Sequence, residues 1–161
     1  MNARKAVPTM LLAILLGGCA SVAPGVARHG DIRIDHMVIP AAAEVGTDIA
    51  AYAGFDNGGS DDRLLGIGCT CAAAVELHRV VRDGDKVTMT NTFPLVLPAG
   101  ARTEVRPPGI PLHFMLMRTT RAFAVGDRIP MRLRFERAGD VEVVFTVAAT
   151  SKEGWERWPA R

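Results

Sequence analysis

The feature that most restricts this chain is how often it is interrupted. From residue 31 onward, turn-forming clusters recur at Pro40, Asn57-Gly58-Gly59-Ser60-Asp61-Asp62, Arg82-Asp83-Gly84-Asp85, Pro98-Ala99-Gly100, Pro107-Pro108-Gly109, Val125-Gly126-Asp127 and Ala138-Gly139-Asp140. No convincing amphipathic helix fits between them, because no 3.6-residue apolar period is sustained. What fits is short extended segments with a period of two. Ile32, Ile34 and His36 alternate with charged residues over 31–38, and Val75, Leu77 and Val80 are interleaved with Glu76 and His78. Met131, Leu133 and Phe135 alternate with Arg132 and Arg134, and further segments fall at 48–56, 63–67, 86–90, 94–97, 102–106, 111–117 and 141–148. Eight to ten short strands at this spacing predict an all-β antiparallel sandwich or barrel.

The 161 residues suffice for one domain and hardly for two. Residues 1–18 read as an export signal, with Arg4 and Lys5 as a basic start, an apolar run from Met10 to Leu16, and small residues before Cys19. The run is too short to span a bilayer as a stable helix. Leu16-Gly17-Gly18-Cys19 resembles the lipobox of bacterial lipoproteins. The resemblance implies lipidation of Cys19, a periplasmic location and a membrane anchor. Ala20, in place of an Asp that favours inner-membrane retention, inclines the expectation to the outer membrane. Residues 19–30 are small and aperiodic, as in a tether; 31–150 form the domain and 151–161 a tail with both tryptophans. Trp155 and Trp158 are spaced either for one side of a helical turn or for capping the sandwich.

Charge narrows the partners. The chain has 19 Lys and Arg against 17 Asp and Glu, and removing residues 1–18 takes away two bases and no acid, leaving 17 against 17. A formally neutral mature chain with no basic stripe gives no support to nucleic-acid binding.

The chemistry concentrates in Pro111-Leu112-His113-Phe114-Met115-Leu116-Met117. On a strand, Leu112, Phe114 and Leu116 share one face, while His113, Met115 and Met117 share the other. An imidazole and two thioethers are soft donors that suit Cu(I) better than oxygen-seeking cations. Methionine is equally the flexible filler of cores, so this face alone admits either reading.

Spacing adds to it. His78 is followed after ten residues by Met89, and a later His113 is followed two residues on by Met115. With Ala51-Tyr52 before the Asn57-Gly58-Gly59 turn, Asp62-Arg63-Leu64, Leu97-Pro98-Ala99-Gly100 and Val125-Gly126-Asp127 before Leu133-Arg134-Phe135-Glu136, the pattern resembles the PCuAC family of periplasmic copper chaperones over about residues 48–147. The resemblance implies an antiparallel Greek-key β-sandwich of cupredoxin-like type, with His78, Met89, His113 and Met115 binding Cu(I). It also implies a copper-accepting partner, such as a cytochrome oxidase subunit or another copper chaperone. Two features depart from the family pattern: a longer gap from Met89 to His113, which the Pro-rich stretch at 107–111 can absorb, and Arg79 directly after His78. A cation beside the site is expected to weaken its hold on Cu(I). Met117 lies on the same face as a reserve ligand or a packing residue.

Cys69-Thr70-Cys71 lies outside the family pattern, seven to nine residues before His78. Three readings stand: extra Cu(I) ligands, a disulfide that gates metal uptake, or small buried residues. His36 and Met37, being adjacent, face opposite ways and read as structural, as does Met131. The sequence has no Gly-x-Ser-x-Gly, no His-Glu-x-x-His and no Gly-rich phosphate loop, so the expectation is not an enzyme. Two other classes remain: a thiol-disulfide protein using Cys69 and Cys71, and a metal-free envelope lipoprotein module.

Overall fold

The computed structural model describes residues 25–158. The export-signal reading of 1–18, Cys19 and the first part of the tether lie outside the described residues. In chain order the elements are β1 (Ala27–His29), β2 (Ile32–Pro40), β3 (Ile49–Asn57), β4 (Asp62–Gly68), β5 (Ala72–Asp83), β6 (Lys86–Asn91), β7 (Leu95–Leu97), β8 (Arg102–Val105), β9 (Leu112–Thr119), β10 (Arg128–Phe135), β11 (Asp140–Ala148) and α1 (Ser151–Glu156). Among the described residues no helix is long and apolar enough to cross a membrane.

Alternation dictates the faces. Along β10, Ile129, Met131, Leu133 and Phe135 are buried while Arg128, Arg132 and Arg134 are exposed. Strands order as β6-β5-β9-β3-β2-β11-β10-β4-β7, with β1 added to β2 and β8 to β3. The first residues of β3 pair with β9 and later ones with β8, so β3 joins the layer β6-β5-β9 to the rest. Phe55 on β3 meets Phe114 of β9 and Phe135 of β10 edge-on, with ring centroids 6.3 Å and 6.5 Å apart, and all three rings are buried. This is the sandwich interior. The described pairings are antiparallel except one: β11 runs parallel to β2. The expected all-antiparallel sandwich is therefore a mixed one at that seam.

Two segments depart from the sequence reading. Ala27–His29, inside the stretch read as tether, pairs with Ile32–Ile34 across a turn at Gly30, and Ala27 is buried; the domain begins earlier than expected. The tail folds back as α1, where the Thr150 hydroxyl accepts a hydrogen bond from the Glu153 N–H at 3.1 Å, the start of a Thr-x-x-Glu capping pattern. Trp155 then packs with Val38 and Tyr52, and its ring centroid lies 4.5 Å from that of His36, with the Trp158 centroid 5.5 Å from the same ring, so both tryptophans meet His36. His36 reaches that position because β2 bulges between Asp35 and Val38, with φ of 53° at His36, which leaves Met37 in the core.

Candidate metal centre

The hairpin and β9 bring the distant histidines together. β5 pairs with β9 in a register that sets His78 directly opposite His113, and pairs with β6 in a register that sets Val80 opposite Met89. Directly opposed residues share a face of the sheet, and diagonal neighbours lie within reach of long side chains. His78, Met89, His113 and Met115 consequently occupy one face of three adjacent strands. The imidazole centroids are 5.4 Å apart in an edge-to-face arrangement. Met115 stands opposite Glu76 and Met89 opposite Val80, so the thioethers flank the histidine pair from opposite corners.

Each ring is held at one nitrogen only. His78 Nε2 lies 2.7 Å from a Glu76 carboxylate oxygen, and His113 Nδ1 lies 3.1 Å from the Gly109 carbonyl oxygen. Both partners can only accept, so each of those ring nitrogens carries the proton. The other nitrogens, His78 Nδ1 and His113 Nε2, are buried and have no hydrogen-bond partner among the described residues. A buried polar atom normally finds a partner, and leaving one bare costs about 1–3 kcal/mol. Two bare lone pairs on directly opposed rings, each ring oriented through its remote N–H, form the pattern by which proteins hold metal-ligating imidazoles.

The chemistry of the donors narrows the ion. Among the described residues no group of three or more His, Cys, Asp or Glu side chains is placed to hold a metal. The donors that flank the histidine pair on the same face are the thioethers of Met89 and Met115, and a set of two imidazoles and two thioethers suits soft, monovalent copper better than the hard divalent cations. Met89 is 52% exposed, which leaves one side of the face accessible from solvent.

The remaining candidates separate from this face. Met117 is four residues from His113 along β9 and stands opposite Ala74, about 13 Å along the strand. Of the three readings of Cys69 and Cys71, the structure has the bonded form: the two are joined by a disulfide in the turn between β4 and β5. Ala72 and His78 are six steps apart along β5, about 20 Å of strand, so the sulfurs lie well away from the histidine pair. Arg79 adjoins His78 only in sequence: strand alternation turns it to the other face, opposite Leu112 and Thr90, where it is exposed. The expected weakening by a neighbouring cation loses its geometric basis. Two participants were missed. Glu76 shares the His78 face by simple alternation and was legible on that ground. Gly109 was read only as part of a length-absorbing loop, yet its carbonyl orients His113.

A sheet of cupredoxin-like order carrying an opposed histidine pair with two methionines on the same face defines the class: a β-sandwich with a histidine–methionine face. The family follows from a direct match, since residues 32–147 fit the model of the LpqE-like family, whose description is that of a lipoprotein, and the chain belongs to that family. Among solved structures, it resembles the copper-bound PCuAC domain from PmoF2 with 26% identity and a TM-score of 0.64, covering 78% of this chain and 98% of that one. It also resembles the apo PCuAC domain from PmoF1 with 21% identity and a TM-score of 0.65, over 78% and 99% of the two chains. Cu(I)-bound DR1885 from Deinococcus radiodurans matches with 24% identity and a TM-score of 0.54, over 71% of this chain and 77% of that one. The resemblance to PCuAC domains read from the sequence therefore holds, as does the cupredoxin-like β fold. No curated protein matches the chain.

Proposed function

We propose that the chain is a Cu(I) carrier, with copper as its cargo, His78 and His113 as nitrogen ligands, and Met89 and Met115 as sulfur ligands. The single observation that carries this reading is the pair of buried, unpartnered nitrogens on directly opposed imidazoles. The likeness to a copper-bound PCuAC domain supports it. Four neutral donors bind a monovalent ion without neutralising it, so a thiolate site on a partner draws it away. The exposed Met89 side is where such a partner's ligand enters. That role is carriage rather than catalysis, and the receiving protein is a copper-accepting one, such as a cytochrome oxidase subunit or another copper chaperone.

The lipobox resemblance and the family's lipoprotein description support a periplasmic protein anchored through lipid on Cys19, on the outer membrane. Because the described domain begins at Gly25, six residues after Cys19, the anchor holds it within about 20 Å of the bilayer surface.

Anaerobic titration with Cu(I) against a chromogenic Cu(I) chelator tests the reading. The disulfide-containing protein is expected to take one equivalent, and a His78→Ala/His113→Ala variant with an unchanged circular dichroism spectrum none. Retained binding in that folded variant sinks the carrier reading. No binding by the wild type favours the metal-free module instead.

A further inference from the structure

The Cys69–Cys71 disulfide sits where a ladder ends. β10 pairs with β4 as far as Arg132 opposite Gly68. One step beyond, Cys69 and Met131 are the first residues past the pairing, and on the continued register their side chains point to the same face. Pro130 follows, and with no N–H it cannot extend the ladder. The chains part there around a cleft of about 430 Å³, lined by Cys69, Thr70, Met131, Arg132 and Glu142 among others. Cys69 is half-buried at its edge and Cys71 lies behind, 4% exposed.

We infer that this turn is a second Cu(I) site, closed while the cysteines are bonded and opened by a thiol reductant. It goes beyond the histidine site and does not depend on it. With a dithiol as reductant, the S–S bond breaks, two electrons and two protons pass to the cysteines, and the dithiol becomes a disulfide. Cu(I) then binds both sulfurs, displacing two protons and giving a bis-thiolate complex of charge −1. The Cα atoms are 5.1 Å apart. Thiolates on one metal need their sulfurs about 4–4.6 Å apart, judging from a metal–sulfur bond of roughly 2.3 Å, against about 2.0 Å in the disulfide. Side-chain rotation in a turn supplies that change. Two features favour the charged product. The Cys71 N–H already donates to Cys69 Sγ at 3.0 Å, and Met131, on the same face as Cys69, brings a third soft donor to the cleft; Arg132 alternates to the other face, where it pairs with Glu142 at 3.2 Å.

The test uses the full chain carrying Cys19→Ser, so that Cys69 and Cys71 are the only thiols of the three cysteines. Cu(I) is titrated anaerobically, against the chromogenic chelator, into oxidised protein and into protein reduced with dithiothreitol and freed of it, with thiols counted before each titration. Two equivalents are expected for the reduced form and one for the oxidised form. Cys69→Ser/Cys71→Ser should take one in both states. His78→Ala/His113→Ala should take one when reduced and none when oxidised, which separates a failure here from a failure of the histidine site. Met131→Leu should keep the stoichiometry and weaken the second site about tenfold, in the range found when a metal's surroundings are altered. Equal copper uptake by the two redox states, or a disulfide that the dithiol cannot open in the folded protein, overturns the inference.

Discussion

Two buried polar clusters built from similar residues meet opposite fates in this molecule. Around Asp35, whose side chain is 1% exposed, every charge is answered. Arg102 donates to it at 3.0 Å, His36 at 2.7 Å and Arg33 at 3.2 Å, while Arg102 also reaches Asp56 at 3.0 Å and Glu104 at 2.7 Å. Around His78 and His113, each ring is answered once and then left with a bare nitrogen. A saturated cluster has nothing left to offer a ligand and serves to hold strands together. An unsaturated one carries a standing cost that binding removes. The difference separates a structural histidine, His36, from two ligand candidates more clearly than burial does.

The sharpest way to break that comparison is to remove the centre of the saturated cluster. Asp35→Ala removes the buried carboxylate on which Arg102, His36 and Arg33 converge but leaves Arg102 its pairs with Asp56 and Glu104, and is expected to cost about 2–3 kcal/mol in denaturant unfolding, with Cu(I) stoichiometry unchanged. Burial opposes the Asp35 charge, but Arg102 and His36 outweigh it and hold the carboxyl below its usual range. Its stabilising effect is therefore complete above the unfolded carboxylate value, about pH 4, and is lost as pH falls through the lower folded value. Asp62 behaves alike: burial works against its charge, and the N–H groups of Arg137, Arg63 and Ala138 overcome that. Wild type should lose stability below about pH 4, and Asp35→Ala should show a shallower acid limb that retains the Asp62 contribution. An equally steep acid limb would show that Asp35 is not held as its contacts indicate.

The converse substitution, His113→Leu, replaces a bare ring nitrogen by apolar surface. Cu(I) affinity should drop by more than about a hundredfold, beyond the range for altered surroundings of a metal, while stability is held or raised. Loss of both together would make His113 structural and erase the contrast.

How much of this was legible follows the range of the forces involved. Period-two alternation is local, so the strands and their faces were readable: Met131, Leu133 and Phe135 point inward as expected. The pairing of His78 with His113 is not local. It depends on the register of β5 on β9, which spacing alone does not fix and which the family resemblance supplied. The disulfide escaped a definite reading because whether Cys69 and Cys71 lie on a strand or in a turn depends on where the β4–β10 ladder stops. The saturated cluster was invisible, since Asp35, Asp56, Arg102 and Glu104 come from three strands and carry no spacing signature. The parallel seam between β2 and β11 was hidden for the same reason.

Within the open cluster, the ring-orienting groups should matter less than the ligands. Glu76→Gln keeps an acceptor for His78 Nε2–H but removes its charge, and about a tenfold loss of Cu(I) affinity is expected. Gly109→Ala should act more weakly and by another route. Gly109 has φ of 87°, and a methyl group there would meet His113 Cβ and Tyr52 Oη at 3.2 Å each. The strain of about 1–2 kcal/mol falls on the loop that presents the carbonyl to His113. If the loop yields, the ring loses its anchor and affinity falls a few-fold with little change in stability. If instead stability falls and affinity holds, the strand alone orients His113, and the open cluster is rigid for the same reason as the closed one.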